Sequence, residues 1–119
     1  MSELNNTVSY IEFAATDVAE AKLFYETVFG WSFIDYGPDY SSFDKNTAAI
    51  NGGFYKSDAH PDQPKTAPLV VVYASDLEAT QSAIVAAGGK IVVPIFDFPG
   101  GRRFHFADPV GNILAVWSE

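Results

Sequence analysis

Cysteine is absent from this 119-residue chain, which removes disulfides, thiolate metal sites and thiol nucleophiles together. Basic residues are scarce: seven Lys and Arg stand against fifteen Asp and Glu, for a formal net charge of −8. That balance disfavours nucleic acid as a partner, because phosphate-backbone binding rests on Lys and Arg. The excess acid either keeps the protein soluble or suits a cationic ligand. No apolar run is long enough to span a bilayer, so no membrane association is expected. The polar stretch Met1 to Asn6 is unlike a signal peptide, and the expected location is cytoplasmic.

What is present describes a folded domain. Apolar residues make up 48% and charged residues 18% of the chain, a composition that buries a core and argues against disorder. Its length is that of about one domain. Ten Phe, six Tyr and two Trp exceed what a core this small needs, and the surplus could line a ligand cavity.

The most informative feature is an internal duplication. Tyr10 to Gly30 and Leu69 to Gly89 follow one plan: an extended apolar run, a capping residue, an amphipathic helix and a closing glycine. At an offset of 59 residues Ala15 falls on Ala74, Thr16 on Ser75, Asp17 on Asp76 and Gly30 on Gly89. In the first copy Val8 to Ala15 reads as a strand. Asp17 reads as the N-cap, with Glu20 at capping-box spacing. Ala21, Phe24, Tyr25, Val28 and Phe29 form the apolar stripe of a helix that Gly30 stops. Strands follow over Trp31 to Tyr36, Tyr40 to Asp44 and Thr47 to Tyr55, the last carrying Gly52 and Gly53 as signs of a bend or a close backbone approach.

The second copy repeats this: strand Leu69 to Ala74, a capping box from Ser75 and Glu78, helix Leu77 to Ala87, and strands Lys90 to Phe96, Arg102 to Ala107 and Ile113 to Trp117. Asp97 to Gly101 reads as a loop, and Asp108 to Asn112 as a tight turn. The expectation is an α+β fold of two tandem β-α-β-β-β modules, about 7–55 and 69–118, joined by a polar, proline-containing linker over 56–68. His60 in that linker reads as solvated.

Thr16-Asp17 leading to Ala21-Lys22-Leu23-Phe24-Tyr25, then Val28-Phe29-Gly30-Trp31, and the closing Phe106-Ala107-Asp108-Pro109-Val110-Gly111-Asn112 resemble the vicinal oxygen chelate superfamily. That group includes glyoxalase I, extradiol dioxygenases, fosfomycin-resistance enzymes and bleomycin-resistance proteins. The chain looks most like its short bacterial branch related to lactoylglutathione lyase. The resemblance implies sheets curving round a cavity with helices on their outer faces, and a homodimer. It also implies metal ligands on the first strand of a module, seven residues before the capping acid, and on the last strand after the Gly-Asn turn. Those positions hold Tyr10, Leu69 and Ala115, none a usual ligand for a divalent ion. The expected cofactor is therefore none, with a divalent metal on displaced ligands as the alternative.

Strand alternation sorts the remaining candidates. Tyr10 and Glu12 should face the cavity from the first module. Leu69, Val71, Tyr73, Arg103, His105, Ala115 and Trp117 should face it from the second. Glu12 is either a general base with a raised pKa or a rim carboxylate facing water or an arginine. His105 is either its acid/base partner or a structural histidine. Arg102 and Arg103 point to opposite faces, and whichever enters the cavity could clamp a carboxylate or pair with Glu12. Tyr10 and Trp117 either stack on a planar ligand or fill space. Two functions fit: a metal-independent binder of a small aromatic or cationic molecule, or a lyase or isomerase of a small carbonyl compound using Glu12 and His105. If those two share the cavity, the carboxylate favours the imidazolium while burial opposes both charges, so the net direction of the shift depends on how wet the pocket is.

Overall fold

A computed structural model describes residues 5–58 and 67–119; His60 and most of the expected linker lie outside them. Module one runs β1 (Tyr10–Ala15), α1 (Val18–Phe29), β2 (Phe33–Asp35), β3 (Tyr40–Phe43), α2 (Lys45–Ala48) and β4 (Asn51–Lys56). Module two runs β5 (Val71–Tyr73), α3 (Leu77–Ala86), β6 (Lys90–Phe98), β7 (Gly101–Ala107) and β8 (Ile113–Ser118). The strands form two mixed four-stranded sheets, ordered β1-β4-β3-β2 and β5-β8-β7-β6. In each, the first strand lies parallel to the last and the other pairings are antiparallel. The α+β architecture with two β-α-β-β-β modules is the one expected from the duplication.

Both helices start on the acids that the repeat singles out. Asp17 accepts from the Glu20 amide and Asp76 from the Ala79 amide, each at 3.0 Å. Ser75 is thus not the second cap; Asp76 takes that place because its carboxylate reaches an otherwise orphaned amide. Gly30 closes α1 in the left-handed region at φ 72°, where a Cβ would be strained.

The stretch read as one strand from Thr47 instead begins in the short helix α2. Polar side chains capture its backbone: Asp44 accepts from the Asn46 amide, Asn51 from the Lys45 amide, and the Thr47 hydroxyl donates to the Asp44 carbonyl. Local side-chain bonds of this kind compete successfully with a sheet ladder. β4 then carries Gly52 and Gly53 beneath bulky neighbours. A Cβ on Gly52 would lie 2.3 Å from the Ile11 carbonyl oxygen and the same distance from the Phe43 ring, so strand pairing here requires glycine.

One core spans both modules on the helix side of the sheets. Phe24 packs on Phe106 with ring centroids 6.0 Å apart, and Tyr25 lies on Trp31 and Phe54 at 4.9 and 5.1 Å. The Asp108–Asn112 turn ties these layers together. Asp108 Oδ1 accepts from the amides of Val110 and Asn112 at 3.0 and 2.8 Å, and Oδ2 accepts from the Tyr25 hydroxyl at 2.8 Å. Asn112 Nδ2 donates to the Ala14 carbonyl at 2.8 Å. A stretch that reads as a hairpin turn is also the polar bolt between modules.

Burial pushes the Asp108 carboxyl above its ordinary value, while the donors from Asn112, Tyr25 and Val110 pull it back. A carboxyl raised in the folded state stabilises most below its unfolded pKa and loses that contribution as pH rises through the folded value. Tyr25→Phe removes one donor, so it should cost about 1–3 kcal/mol and raise the Asp108 pKa further. Urea denaturation across a pH series should show the deficit growing from acidic toward neutral pH; a deficit that shrinks would contradict this role for the bond.

Candidate functional site

The faces of the two sheets opposite the helices carry the candidate residues, but the candidates fall into two groups. On module one, Tyr10 and Glu12 point away from the core and are exposed. Tyr40 lies over Gly53, where a Cβ would meet its hydroxyl. Its hydroxyl donates to Glu12 Oε2 at 3.0 Å and forms a short hydrogen bond with the Tyr10 hydroxyl. Burial, Tyr10 and Glu12, in that order, push the Tyr40 phenol well above its usual range. A concavity of about 480 Å³ beside this network includes Tyr10, Ile34, Ser42 and Asn51. Tyr40 did not stand out in the sequence; the glycine pair that makes room for it was its only signal.

On module two the open face is a grid set by strand register. One row runs Tyr73, Trp117, Arg103, Phe96 and the next Val71, Ala115, His105, Val93. Arg103, His105, Ala115 and Trp117 therefore share one face, while Leu69 lies before β5, partly buried and outside the grid. Ala115 is fully buried and forms floor. Trp117 is boxed edge-on by Tyr73 and Phe98, at 5.1 and 6.3 Å between centroids. A cavity of about 320 Å³ is bounded by Val71, Phe98, Gly100, Arg103 and Trp117.

The arginines separate as alternation requires. Arg102 turns to the helix side and grips Glu78 at 2.5 and 3.1 Å. Arg103 sits 5.3 Å from the Phe96 ring centroid and 5.5 Å from that of Phe98, and makes no pair with Glu12. Its Nε and the Nε2 of His105 are buried without a hydrogen-bond partner.

Glu12 and His105 are not brought together. Glu12 is engaged by Tyr40 within its own sheet, whereas His105 packs on Phe96 at 5.8 Å. Burial and the Arg103 charge lower the His105 pKa, whereas a neighbouring carboxylate would favour the imidazolium. Alternation within a strand fixes the face a residue takes in its own module, but not what the other module sets against it.

A third cavity, about 400 Å³, occupies the gap between the modules and is lined by helix-side residues such as Ile11, Phe13 and Trp31 together with Val70–Tyr73. Of the candidate residues, Val71 and Tyr73 line it, while Tyr10, Glu12, Leu69, Arg103, His105, Ala115 and Trp117 do not. No helix among the described residues is long and apolar enough to cross a membrane.

Whether a divalent metal fits depends on the donors. Tyr10 is engaged with Tyr40, Leu69 is aliphatic, and Ala115 offers no donor atom. Among the described residues no three His, Asp or Glu side chains gather as a metal site. The donor set does not fit the metal centre that the superfamily resemblance implies.

The comparisons with known proteins agree with the fold. The family model described as Glyoxalase/Bleomycin resistance protein/Dioxygenase superfamily matches residues 7–116. A protein of Mycobacterium tuberculosis that carries the name glyoxylase CFP32 as an unproven assignment is 27% identical over 117 residues, covering 93% of this chain and 45% of that protein. The chain thus spans about half the length of that relative. A glyoxylase-like domain-containing protein of Didymella fabae is 29% identical, covering 95% of this chain and 94% of its own. The crystal structure of a glyoxalase-related enzyme from Fulvimarina pelagi superposes with a TM-score of 0.78 at 21% identity, over 96% of this chain and 88% of that one.

Glu12→Gln should therefore move the Tyr40 phenol down toward its ordinary pKa and leave the His105 titration in place. Ultraviolet titration of tyrosinate and histidine NMR read the two separately. A downward move of His105 in this variant would show that Glu12 does act on it.

Proposed function

The chain belongs to the glyoxalase/bleomycin resistance protein/dioxygenase superfamily, and on that footing we propose that it binds a small organic molecule on the open face of module two without a divalent metal. The observation that carries this reading is the grid around Trp117. A half-buried indole flanked by Tyr73 and Phe98 opens onto a cavity of about 320 Å³, the apolar, concave setting that small ligands favour. At the positions where the family resemblance implies metal ligands, this chain has a hydrogen-bonded tyrosine and two aliphatic side chains, so binding has to rest on ring contacts and directed polar groups.

An acid/base reaction between Glu12 and His105 finds less support. General catalysis needs both groups within reach of the same reacting atoms, whereas Glu12 is engaged by Tyr40 in module one and His105 packs on Phe96 in module two.

Aromatic compounds screened by thermal shift should include some that raise the melting temperature. A ligand at a hundred times its Kd adds about 2.7 kcal/mol, worth about 10 °C for a domain of this size. Chelator should not abolish the shift, and Trp117→Leu should. A shift that appears only with added divalent ion, or near-unit metal by elemental analysis of untagged protein, would contradict the proposal.

A homodimer is part of the same reading. β1 is an edge strand, and Tyr10 and Tyr55 remain more than 40% exposed, an arrangement that a second copy would cover. Light scattering at micromolar concentration should give twice the chain mass; the monomer mass would contradict it.

A further inference from the structure

We propose that the open face of module two receives a planar organic oxyanion, its charged end held by Arg103 and its ring laid on Trp117. This deepens the small-molecule reading above and depends on it.

The first ground is the fate of the two arginines. Fifteen acidic residues compete for seven basic ones in this chain, and Arg102 donates a bidentate pair of hydrogen bonds to Glu78. Arg103, its neighbour, is bonded to no carboxylate and donates no hydrogen bond among the described residues; its contacts are the two phenyl rings. Its position between two rings sets it apart from every carboxylate among the described residues.

The second ground is how the position is built. The β6–β7 ladder shifts register between Ile91 and Val93 and again between Val93 and Phe96. Continuing the Ile91–Phe106 register unbroken would set Pro94 opposite Arg103. The two bulges set Phe96 there and bring Phe98 to the same side. Bulges commonly re-aim side chains in this way. Rings stacked on a guanidinium fix its plane and leave the fork of donors presented, the geometry that matches a carboxylate or phosphate edge.

The third ground is what surrounds it. His105 stands in the next row of the grid, across from Ala115, and packs on Phe96. Its Nε2 lacks a partner, as does Arg103 Nε. Gly100, at φ 133°, borders the cavity where a Cβ would crowd the Phe98 ring at 3.2 Å. A space of about 320 Å³ lies at the small end of ligand pockets, so the class is a one-ring acid or similarly compact planar anion.

Three probes of one shape separate the ideas: benzoate, benzamide and benzylamine, titrated at fixed ionic strength and read by Trp fluorescence and calorimetry. Benzoate should bind about tenfold more tightly than benzamide, with benzylamine weakest, and should shift the His105 ring resonances. Arg103→Met should reduce benzoate to the level of benzamide. Arg103→Lys, which keeps the charge and loses the fork, should lose at least threefold. Equal binding of all three probes would overturn the oxyanion inference while leaving small-molecule binding intact. An Arg103→Lys protein with undiminished benzoate preference would overturn the role given to the fork. Failure of all three probes on protein that still binds other aromatic compounds would also overturn it, as expected if a carboxylate of a second copy occupies Arg103.

Discussion

Everything else in this fold is arranged around the buried carboxylate of Asp108. It gathers two backbone amides of its own turn and the hydroxyl of Tyr25 from the other module. Hydrogen bonds to a charged group contribute about 1.5–3 kcal/mol each, which offsets a desolvation that still leaves the carboxyl harder to ionise than usual. Tyr25 in turn lies fully buried against Trp31 and Phe54. Polar bond and aromatic stack thus commit both modules to pack on their helix sides. The opposite faces of the two sheets are left without a share in the core, and that freedom is what lets unpaired groups such as Arg103 and His105 persist there.

The duplication was legible because capping acids, stop glycines and strand runs are local signals. Asp17, Asp76 and Gly30 mark the helix boundaries as the residue pattern implies. The pattern loses its hold where side chains redirect the backbone. Asp44, Thr47 and Asn51 turn the head of a strand into α2, and two bulges around Pro94 extend β6 through Phe98, in a stretch that reads as loop. With Phe98 assigned to a loop, its alternation with Phe96 and hence the stacked Arg103 were hidden.

The candidate site was legible in part for the same reason. Alternation places Arg103, His105, Ala115 and Trp117 on one face, since register along β7 and β8 is regular. It carries no information across modules, and the pairing of Glu12 with His105 needed such information. Glu12 instead answers to Tyr40, a contact that Gly53 permits. Membership of the superfamily then narrows the fold and leaves the chemistry to the side chains, because the same scaffold hosts several activities. In this chain they point to aromatic rings and the guanidinium of Arg103, with no cluster of metal donors among the described residues.

The most direct measurement is a map of amide NMR perturbations on adding a bound aromatic ligand to the metal-free protein. The account predicts that the largest changes fall on the β6–β7 turn and on the end of β8, around Phe98, Gly100, Arg103 and Trp117. Changes centred on Ile11, Trp31 and Ala48, in the gap between the modules, would contradict it.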